Sequence, residues 1–288
     1  MERFFCGDAE ASQAFYERNK LIIEAVTMGH DFCFKLLAQA QAKLEPQEKT
    51  VIWLLVASCL KEFEEIILLC SNGFGTGATK LMRSFYERVV TLSYLAMHRE
   101  HVQAFIDYSD VHWYKLLAEA EEIHAEFTLP KEERMRLLEN YEKNKGKFKE
   151  AKCEACKRTP PTSWIKIDTK TMASEVSEHL RLLCANAYLI PTFHMHTTFW
   201  GIGNQFKRTA SGKLQFLEGK VQEEAAQDAF EHAYILLRQV MDVLNGFFEL
   251  DQQEQITHFG NAWVKACESA WGRKAKSETS PALPRQEP

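Results

Sequence analysis

The stretch KLMRSFYERVVTLSYLAMH, residues 80–98, is the part of the sequence that most clearly decides the fold. It contains no proline or glycine, and apolar residues occupy almost every side of the helix that it predicts. Arg83 and Glu87 lie one turn apart on one face of this helix, and Tyr94 follows on the same stripe. Because burying an isolated charge is costly, we expect the arginine and the glutamate to be paired with each other or with a ligand.

Composition places the chain among ordinary globular proteins. It has 288 residues, of which 45% are hydrophobic and 26% are charged, and its net charge of −5 argues against non-specific coating of nucleic acid. Several of the eight cysteines lie inside apolar helical patterns, and the first residues lack the apolar core of a signal peptide. The longest apolar run, residues 51–60, is too short to span a bilayer. We therefore expect a reduced, cytoplasmic protein without membrane contact.

Helical periodicity continues on both sides of residues 80–98. The pattern predicts a helix over residues 9–43, which Gly29 bends or divides, and further helices as far as residue 271. The segment NGFGTGATK, residues 72–80, resembles a phosphate-binding loop, but no strand precedes it and its spacing differs from that motif. We expect instead a tight turn whose Thr76 caps the next helix.

The predicted elements are seven or eight helices without a convincing set of strands, which indicates an all-α protein. We expect a single elongated helical bundle over residues 1–272, with a charged helical arm at about 130–158 and a disordered tail at 273–288. Pro191 should kink or interrupt a late helix, and a short extended piece is expected at residues 213–217.

The charged arm contains the most basic segment that we find. Residues 143–158 include seven basic and two acidic side chains, which offers a weak case for contact with nucleic acid. Charge runs of this kind usually just face water, so we favour a solvated, lysine-rich arm. Cys153 and Cys156 form a lone CxxC, and Glu121 with His124 forms a lone ExxH. Neither pair has the further ligands that a metal site needs, and we expect no metal and no cofactor.

A second group of polar residues lies in a later apolar segment. Tyr188, Thr192 and His196 follow one another at intervals of four, which puts them on one face of a continuous helix. His194 lies between them, but on a helix its imidazole points roughly 160° away from that of His196, so the two would not share a metal. If this segment meets residues 83–87, arginine, glutamate, tyrosine and histidine face one cavity and suit an anionic ligand.

Together the two segments resemble a known family. RSFYE at residues 83–87 and YLIPTFHMH at residues 188–196 are similar to the signature helices of a bacterial, all-helical family catalogued as a domain of unknown function. Its members show Arg-Ser-x-x-Glu and, later, Tyr-x3-Ser-x3-His, often with a tryptophan between them where Trp164 stands. The resemblance covers roughly residues 55–200 and departs at Thr192, which replaces the serine. It implies a helical intracellular protein and no established reaction.

We predict a semi-buried site that binds an anionic ligand or a protein partner in a stress or defence setting. Its catalytic or charge-clamping residues are Arg83, Glu87 and His196, and its ligand-binding residues are Tyr94, Tyr188, Thr192 and His194. One alternative is a phosphodiester- or nucleotide-directed hydrolase with His196 as general acid/base and Arg83 as the clamp, although the Arg-x4–6-His motif of helical ribonucleases is absent from the sequence. The other is a structural protein, in which loss of Arg83 leaves a buried Glu87 unpaired at a cost of about 3–5 kcal/mol.

Overall fold

The structure is a computed structural model that describes residues 8–124, 129–148, 163–196, 198–203, 206–216 and 221–272. The chain divides into two compact units, of which the first comprises Met1–Met97 with Thr169–Pro288 and the second comprises His98–Asp168. The predicted tail at 273–288 lies outside the described residues, as does the CxxC pair Cys153 and Cys156. The single bundle domain over residues 1–272 stays a prediction.

The described residues are mainly helical, which confirms the all-α class. Twelve α-helices occur among them: α1 (Ala9–Arg18), α2 (Lys20–Gln41), α3 (Gln47–Ser71), α4 (Gly75–Met97), α5 (Val102–Glu122), α6 (Lys131–Asn144), α7 (Thr169–Val176), α8 (Glu178–Cys184), α9 (Ile190–Met195), α10 (Phe199–Gly203), α11 (Glu223–Phe248) and α12 (Gln253–Trp271). Two short strands, β1 (Phe206–Arg208) and β2 (Leu214–Phe216), pair antiparallel. The expected seven or eight helices are roughly consistent with this, because two segments predicted as one helix each, residues 9–43 and the late segment that contains Pro191, are divided into shorter helices.

Three long helices form the core of the first unit. α3, α4 and α11 pack against one another, and α4 also contacts α7 and α9. α4 buries an apolar face that includes Phe85, Val89 and Leu92, and α11 buries residues such as Phe230 and Leu237. Because α4 is contacted from several sides, it needs apolar residues around most of its circumference, as the sequence pattern indicates.

The chain breaks between α1 and α2 at Asn19, and not at Gly29 as expected. Asn19 Nδ2 donates to the Phe15 carbonyl at 2.9 Å, and Asn19 Oδ1 accepts from Trp271 Nε1 at 2.8 Å. Gly29 instead lies inside α2, where an added Cβ would be 3.5 Å from Tyr234 Cε2. This is an ordinary contact distance, so Gly29 packs inside α2 without ending the helix.

The segment that resembles a phosphate loop is a turn between α3 and α4, as expected. Gly73 has a φ of +79°, which a side chain rarely adopts, and a Cβ on Gly75 would lie 2.4 Å from the backbone nitrogen of Ala226. The expectation that Thr76 caps α4 is wrong, since Thr76 lies inside the helix and its backbone N–H donates to Gln222 Oε1 at 2.7 Å. Gln222, the residue that precedes α11, therefore caps α4. This hydrogen bond joins the start of α4 to the start of α11.

The helical segment after α8 changes geometry before Pro191. Ala185–Leu189 form a π-helical turn, here called the π segment, and α9 follows directly with Pro191 in its first turn. Proline lacks an N–H, and its ring collides with the carbonyl four residues earlier in a regular α-helix, so a wider turn accommodates it. The structure thus shows the expected interruption, and the extended piece expected at residues 213–217 corresponds to β2.

The second unit is built on α5 and α6, which pack against each other. A small core consists of Tyr108, Val111 and Phe148, with Ala104, Tyr141 and Trp164 packed against it. Asp110 Oδ2 accepts from Asn144 Nδ2 at 3.0 Å, which joins the two helices by a polar contact. The predicted charged arm thus begins as α6, whereas residues 149–158, which hold much of the basic segment, lie outside the described residues.

Within the part of the chain that the structure describes, no helix is both long and apolar enough to cross a membrane. The free cysteines in that part are all buried: Cys33, Cys59, Cys70, Cys184 and Cys267. Burial raises the pKa of the Cys33, Cys59 and Cys70 thiols far above the ordinary value, so these side chains remain protonated and act as small core residues.

Candidate functional site

The first unit brings the two predicted polar segments together around Arg83. Arg83 on α4 places Nη1 3.3 Å from His196 Nε2, although the two residues are 113 positions apart in the chain. An arginine only donates hydrogen bonds, so this contact requires the unprotonated Nε2 of a neutral His196 as its acceptor. Glu87, one turn further along α4, has Oε1 3.7 Å from Arg83 Nη2. At this distance the two side chains form an ion pair, but they are too far apart for a charge-assisted hydrogen bond.

Tyr188 completes this group of side chains. The guanidinium carbon of Arg83 lies 4.9 Å from the centre of the Tyr188 ring, within the range of a cation–π contact. Tyr188 belongs to the π segment, and its ring lies 5.9 Å from that of Tyr86, which is fully buried in α4. Tyr86 in turn donates to the Leu180 carbonyl at 2.7 Å. We call Arg83, Glu87, Tyr188 and His196 the Arg83 cluster.

The Arg83 cluster is reached by solvent. The side chain of Arg83 is 22% exposed and that of Glu87 is 40% exposed, while His196 lies at the C-terminal cap of α9 and is exposed. The expectation of a buried Glu87 therefore needs correction, because its carboxylate keeps much of its hydration. An ion pair of this kind contributes only about 0–1 kcal/mol to stability, well below the cost expected for a buried pair.

Two of the predicted ligand-binding residues take other positions. The Thr192 hydroxyl donates to the Tyr188 carbonyl at 2.7 Å, so it satisfies the backbone at the junction of the π segment and α9. Tyr94 is 3% exposed and lies eleven residues beyond Arg83 on α4, which corresponds to roughly 16 Å along the helix. The structure thus places Thr192 beside the Arg83 cluster and Tyr94 well away from it.

His194 lines a separate cleft. This cleft also contains His179 of α8 and His232 of α11, whereas no residue of the Arg83 cluster lines it. Burial lowers the pKa of both His179 and His194, and the nearby Lys80 ammonium lowers the pKa of His194 further. His194 and His196 thus lie in different places, as expected for two residues that are two positions apart at the end of a helix.

A buried acidic network next to the Arg83 cluster was missed by the sequence reasoning. Glu62 of α3 is 7% exposed, and its Oε1 accepts a hydrogen bond from the Ser84 hydroxyl of α4. Arg88 Nη1 lies 3.5 Å from Glu62 Oε2 and donates to Ser58 Oγ at 2.6 Å. Burial raises the pKa of Glu62, and this effect exceeds the opposing effects of Ser84 and Arg88. The serine of the Arg-Ser-x-x-Glu motif thus holds a carboxylate of the neighbouring helix.

A signal for Glu62 is present in the sequence. Glu62 follows Cys59 by three residues and precedes Ile66 by four, and both of these apolar residues are buried in α3. This spacing puts Glu62 on the inward stripe of the helix. The charged neighbours Lys61, Glu64 and Glu65 make the segment look like a solvated face.

The geometry of the Arg83 cluster suits recognition of an anion. A guanidinium held against an aromatic ring presents its remaining donors in a fixed plane, and the adjacent imidazole offers a further hydrogen-bonding group. Among the described residues, no group of three or more His, Cys, Asp or Glu side chains could hold a metal ion.

In a comparison with protein families, residues 49–214 match a family of unknown function (DUF5677). No curated protein and no solved structure matches the chain. The match covers more than half of the chain and contains both predicted motifs, residues 83–87 and 188–196. Bacterial origin stays a prediction, whereas the resemblance to a family of unknown function is confirmed: the chain belongs to DUF5677.

Proposed function

We propose that the Arg83 cluster binds an anionic group, such as a phosphate or a carboxylate, on a small ligand or a partner. The placement of Arg83 carries this proposal. Its guanidinium lies 3.3 Å from an exposed imidazole, while the carboxylate of Glu87 is 3.7 Å away and forms no short hydrogen bond with it. Arg83 therefore keeps donors for an incoming anion, and those donors face a region that solvent reaches.

Each member of the cluster has a distinct part in such binding. The Tyr188 ring lies 4.9 Å from the guanidinium carbon and helps to hold the guanidinium in place through a cation–π contact. Glu87 holds the positive charge in place before the anion arrives and orients Arg83. His196 places a second hydrogen-bonding side chain beside the guanidinium.

A hydrolase acting on phosphodiesters or nucleotides is the second candidate. The contact between His196 and Arg83 favours it, because a general acid/base next to a phosphate clamp is a minimal arrangement for phosphodiester cleavage. In this version His196 transfers the proton, Arg83 stabilises the charge that develops on the phosphate, and Glu87 orients Arg83.

The test of anion binding compares two arginines. Isothermal titration with pyrophosphate, AMP and short single-stranded RNA is carried out on the wild type, Arg83→Gln and Arg181→Gln. Arg181 lies on α8, is paired with Glu178, and supplies the same loss of charge elsewhere in the first unit. A hydrogen bond to a charged group contributes about 1.5–3 kcal/mol, so we expect Arg83→Gln to weaken binding about tenfold or more and Arg181→Gln to leave it unchanged. Equal effects of the two variants would refute the proposal.

Turnover and stability measurements separate the remaining alternatives. Hydrolysis of labelled RNA, DNA or nucleotides that is lost in both His196→Ala and Arg83→Ala supports the hydrolase; turnover that survives in both variants counts against it.

If the cluster serves packing alone, Arg83→Ala lowers the melting temperature and no anion binds. Because the Arg83–Glu87 pair is solvent-accessible, we expect Arg83→Ala to cost about 1 kcal/mol or less. The stress or defence setting and the cytoplasmic location stay predictions.

A further inference from the structure

A cleft of about 670 Å³ lies in the first unit and includes none of the Arg83 cluster. Residues of α4, α8, α9, α11 and α12 contribute to its lining. Binding sites for small organic molecules commonly have volumes of about 300–1,000 Å³ and walls that are mainly apolar with a few polar groups. The cleft fits this description in size.

One part of the cleft wall is apolar. It includes Leu182 and Leu183 of α8, Ile190 of α9 and Ile235 of α11. Trp271, the last residue of α12, contributes an indole ring whose Nε1 donates to Asn19 Oδ1 at 2.8 Å and is thereby held in place. An apolar or aromatic body of a ligand can pack against these side chains.

The charged side chains that line the cleft are acidic. Asp228 and Glu231 lie three residues apart on α11, which places them on the same helix face, and neither lysine nor arginine is among the lining residues. Within the described residues, Asp228 forms no ion pair. Burial lowers the pKa of His179 and His194, so these two imidazoles add no positive charge at neutral pH. The carboxylates of Asp228 and Glu231 favour a cation beside them, while His232 also lines the cleft and the Lys80 ammonium lies near His194.

The acidic face continues beyond the cleft. An adjoining recess shares Asp228 and Trp271 with it and is also lined by Glu224, Gln227 and Ala270. Glu224, Asp228 and Glu231 follow the i, i+4, i+7 spacing of a single helix face. The carboxylate of Asp228 thus lies between two acidic neighbours and beside an indole, and an indole face also attracts cations.

We propose that this cleft binds a small organic amine that carries an apolar body. The ammonium group is held by Asp228 and Glu231, and the body packs against the aliphatic residues of α8 and α9 and against Trp271. A bare metal ion is a poorer candidate, because no group of three His, Cys, Asp or Glu residues suited to a metal occurs in the described residues.

A pair of probes with the same ring and opposite charge tests the proposal on the full-length protein. Titration calorimetry with tryptamine should show saturable binding, and indole-3-propionate should bind at least tenfold more weakly. Spermidine, a polyamine without an aromatic body, should also bind more weakly than tryptamine. The proposal fails if tryptamine does not bind, if the carboxylate probe binds as tightly, or if spermidine binds more tightly.

Substitutions then locate the site. Asp228→Asn removes a rim carboxylate from an exposed position, where the change leaves the fold intact, and should weaken tryptamine binding about tenfold. Glu24→Gln removes a carboxylate from an exposed position on α2 and should leave binding unchanged. Arg83→Gln should also leave it unchanged, so the amine site and the anion site can fail separately. If Asp228→Asn and Glu24→Gln behave alike, the amine does not bind in this cleft.

Discussion

Glu62 and Glu87 show how solvent contact changes the role of a carboxylate. Glu87 is 40% exposed in the Arg83 cluster, whereas Glu62 is 7% exposed between α3 and α4. Burial raises the pKa of Glu62 although Ser84 donates to it and Arg88 lies 3.5 Å away. The folded protein therefore holds the Glu62 proton more tightly than the unfolded chain does. Ionised Glu62 consequently lowers the stability of the fold.

We predict that Glu62→Gln changes the pH dependence of stability. When the pH is below the pKa of an unfolded glutamate, Glu62 is protonated in both the folded and the unfolded protein. Its ionisation then makes no contribution to the free energy of unfolding. As the pH rises from that value through the raised folded pKa, the wild type loses stability, while glutamine does not ionise. The difference between the variant and the wild type should therefore shift in favour of the variant as the pH rises from about 4 through the raised pKa of folded Glu62. Urea unfolding at several pH values measures this difference.

Glu24→Gln is the control for this pH experiment. It removes an exposed carboxylate from α2 and changes the net charge by the same amount, so it isolates the effect of charge from the effect of burial. If both variants change with pH in the same way, the burial of Glu62 is not the cause. If instead the wild type gained stability relative to Glu62→Gln as the pH rises, the ion pair between Glu62 and Arg88 would outweigh the cost of burying the carboxylate.

At the scale of elements, two glycines near the start of α4 differ in the space around them. A Cβ on Gly75 would lie 2.4 Å from the backbone nitrogen of Ala226, whereas a Cβ on Gly77 would have its nearest contact at 3.5 Å, with the Leu69 side chain. We predict that Gly75→Ala destabilises the protein by about 1–3 kcal/mol, because the backbone of α4 or α11 must move to make room for the methyl group. Gly77→Ala should stabilise it by up to about 1 kcal/mol, because alanine favours the helix.

Thermal and urea unfolding of the two alanine variants provide the measurement. Both variants add one methyl group near the start of α4, so the difference between them reports the close approach of α4 to α11. Equal effects on the free energy of unfolding would contradict the close contact between Gly75 and Ala226. A loss of helix content in Gly77→Ala alone would contradict the ordinary contact at that position.

At the scale of the whole molecule, each unit has its own packed residues. In the first unit α3, α4 and α11 pack together, and α4 also contacts α7, so its two chain segments are joined by many long-range contacts. We predict that the first unit folds without the second when residues 98–168 are replaced by a flexible glycine–serine linker. The shortened chain should show a helical circular dichroism spectrum and a cooperative thermal transition.

Binding measurements on the shortened chain extend this prediction. All four residues of the Arg83 cluster belong to the first unit, so any anion binding by the full chain should persist in the shortened one. A helical but non-cooperative transition would show that the first unit depends on residues 98–168 for its packing. Loss of binding with an intact transition would place part of the anion site in the second unit.

How much could be predicted from the sequence depends on whether residues share an element. The pairing of Arg83 with Glu87 and the all-α class follow from helical spacing and apolar periodicity, which are local. The contact between Arg83 and His196 spans 113 positions, and the two motifs only suggested that their segments meet. The degree of burial of Glu87 was not predictable, because it depends on which helices cover its face, whereas the spacing of Glu62 indicates an inward position that its charged neighbours obscure. The cap from Gln222 was likewise hidden, since it comes from the start of a distant helix.

The π segment has a consequence for how this chain tolerates insertions and deletions. Each residue of an α-helix advances the direction of the following side chains by roughly 100°. Ala185–Leu189 thus set the rotation of α9 about its axis relative to α8. In this rotation His196 lies towards Arg83 and His194 lies towards the cleft. Removing one residue there would turn both histidines away from their present neighbours without altering either side chain. The number of residues between Cys184 and Ile190 is therefore as much a part of both proposed sites as the residues that line them.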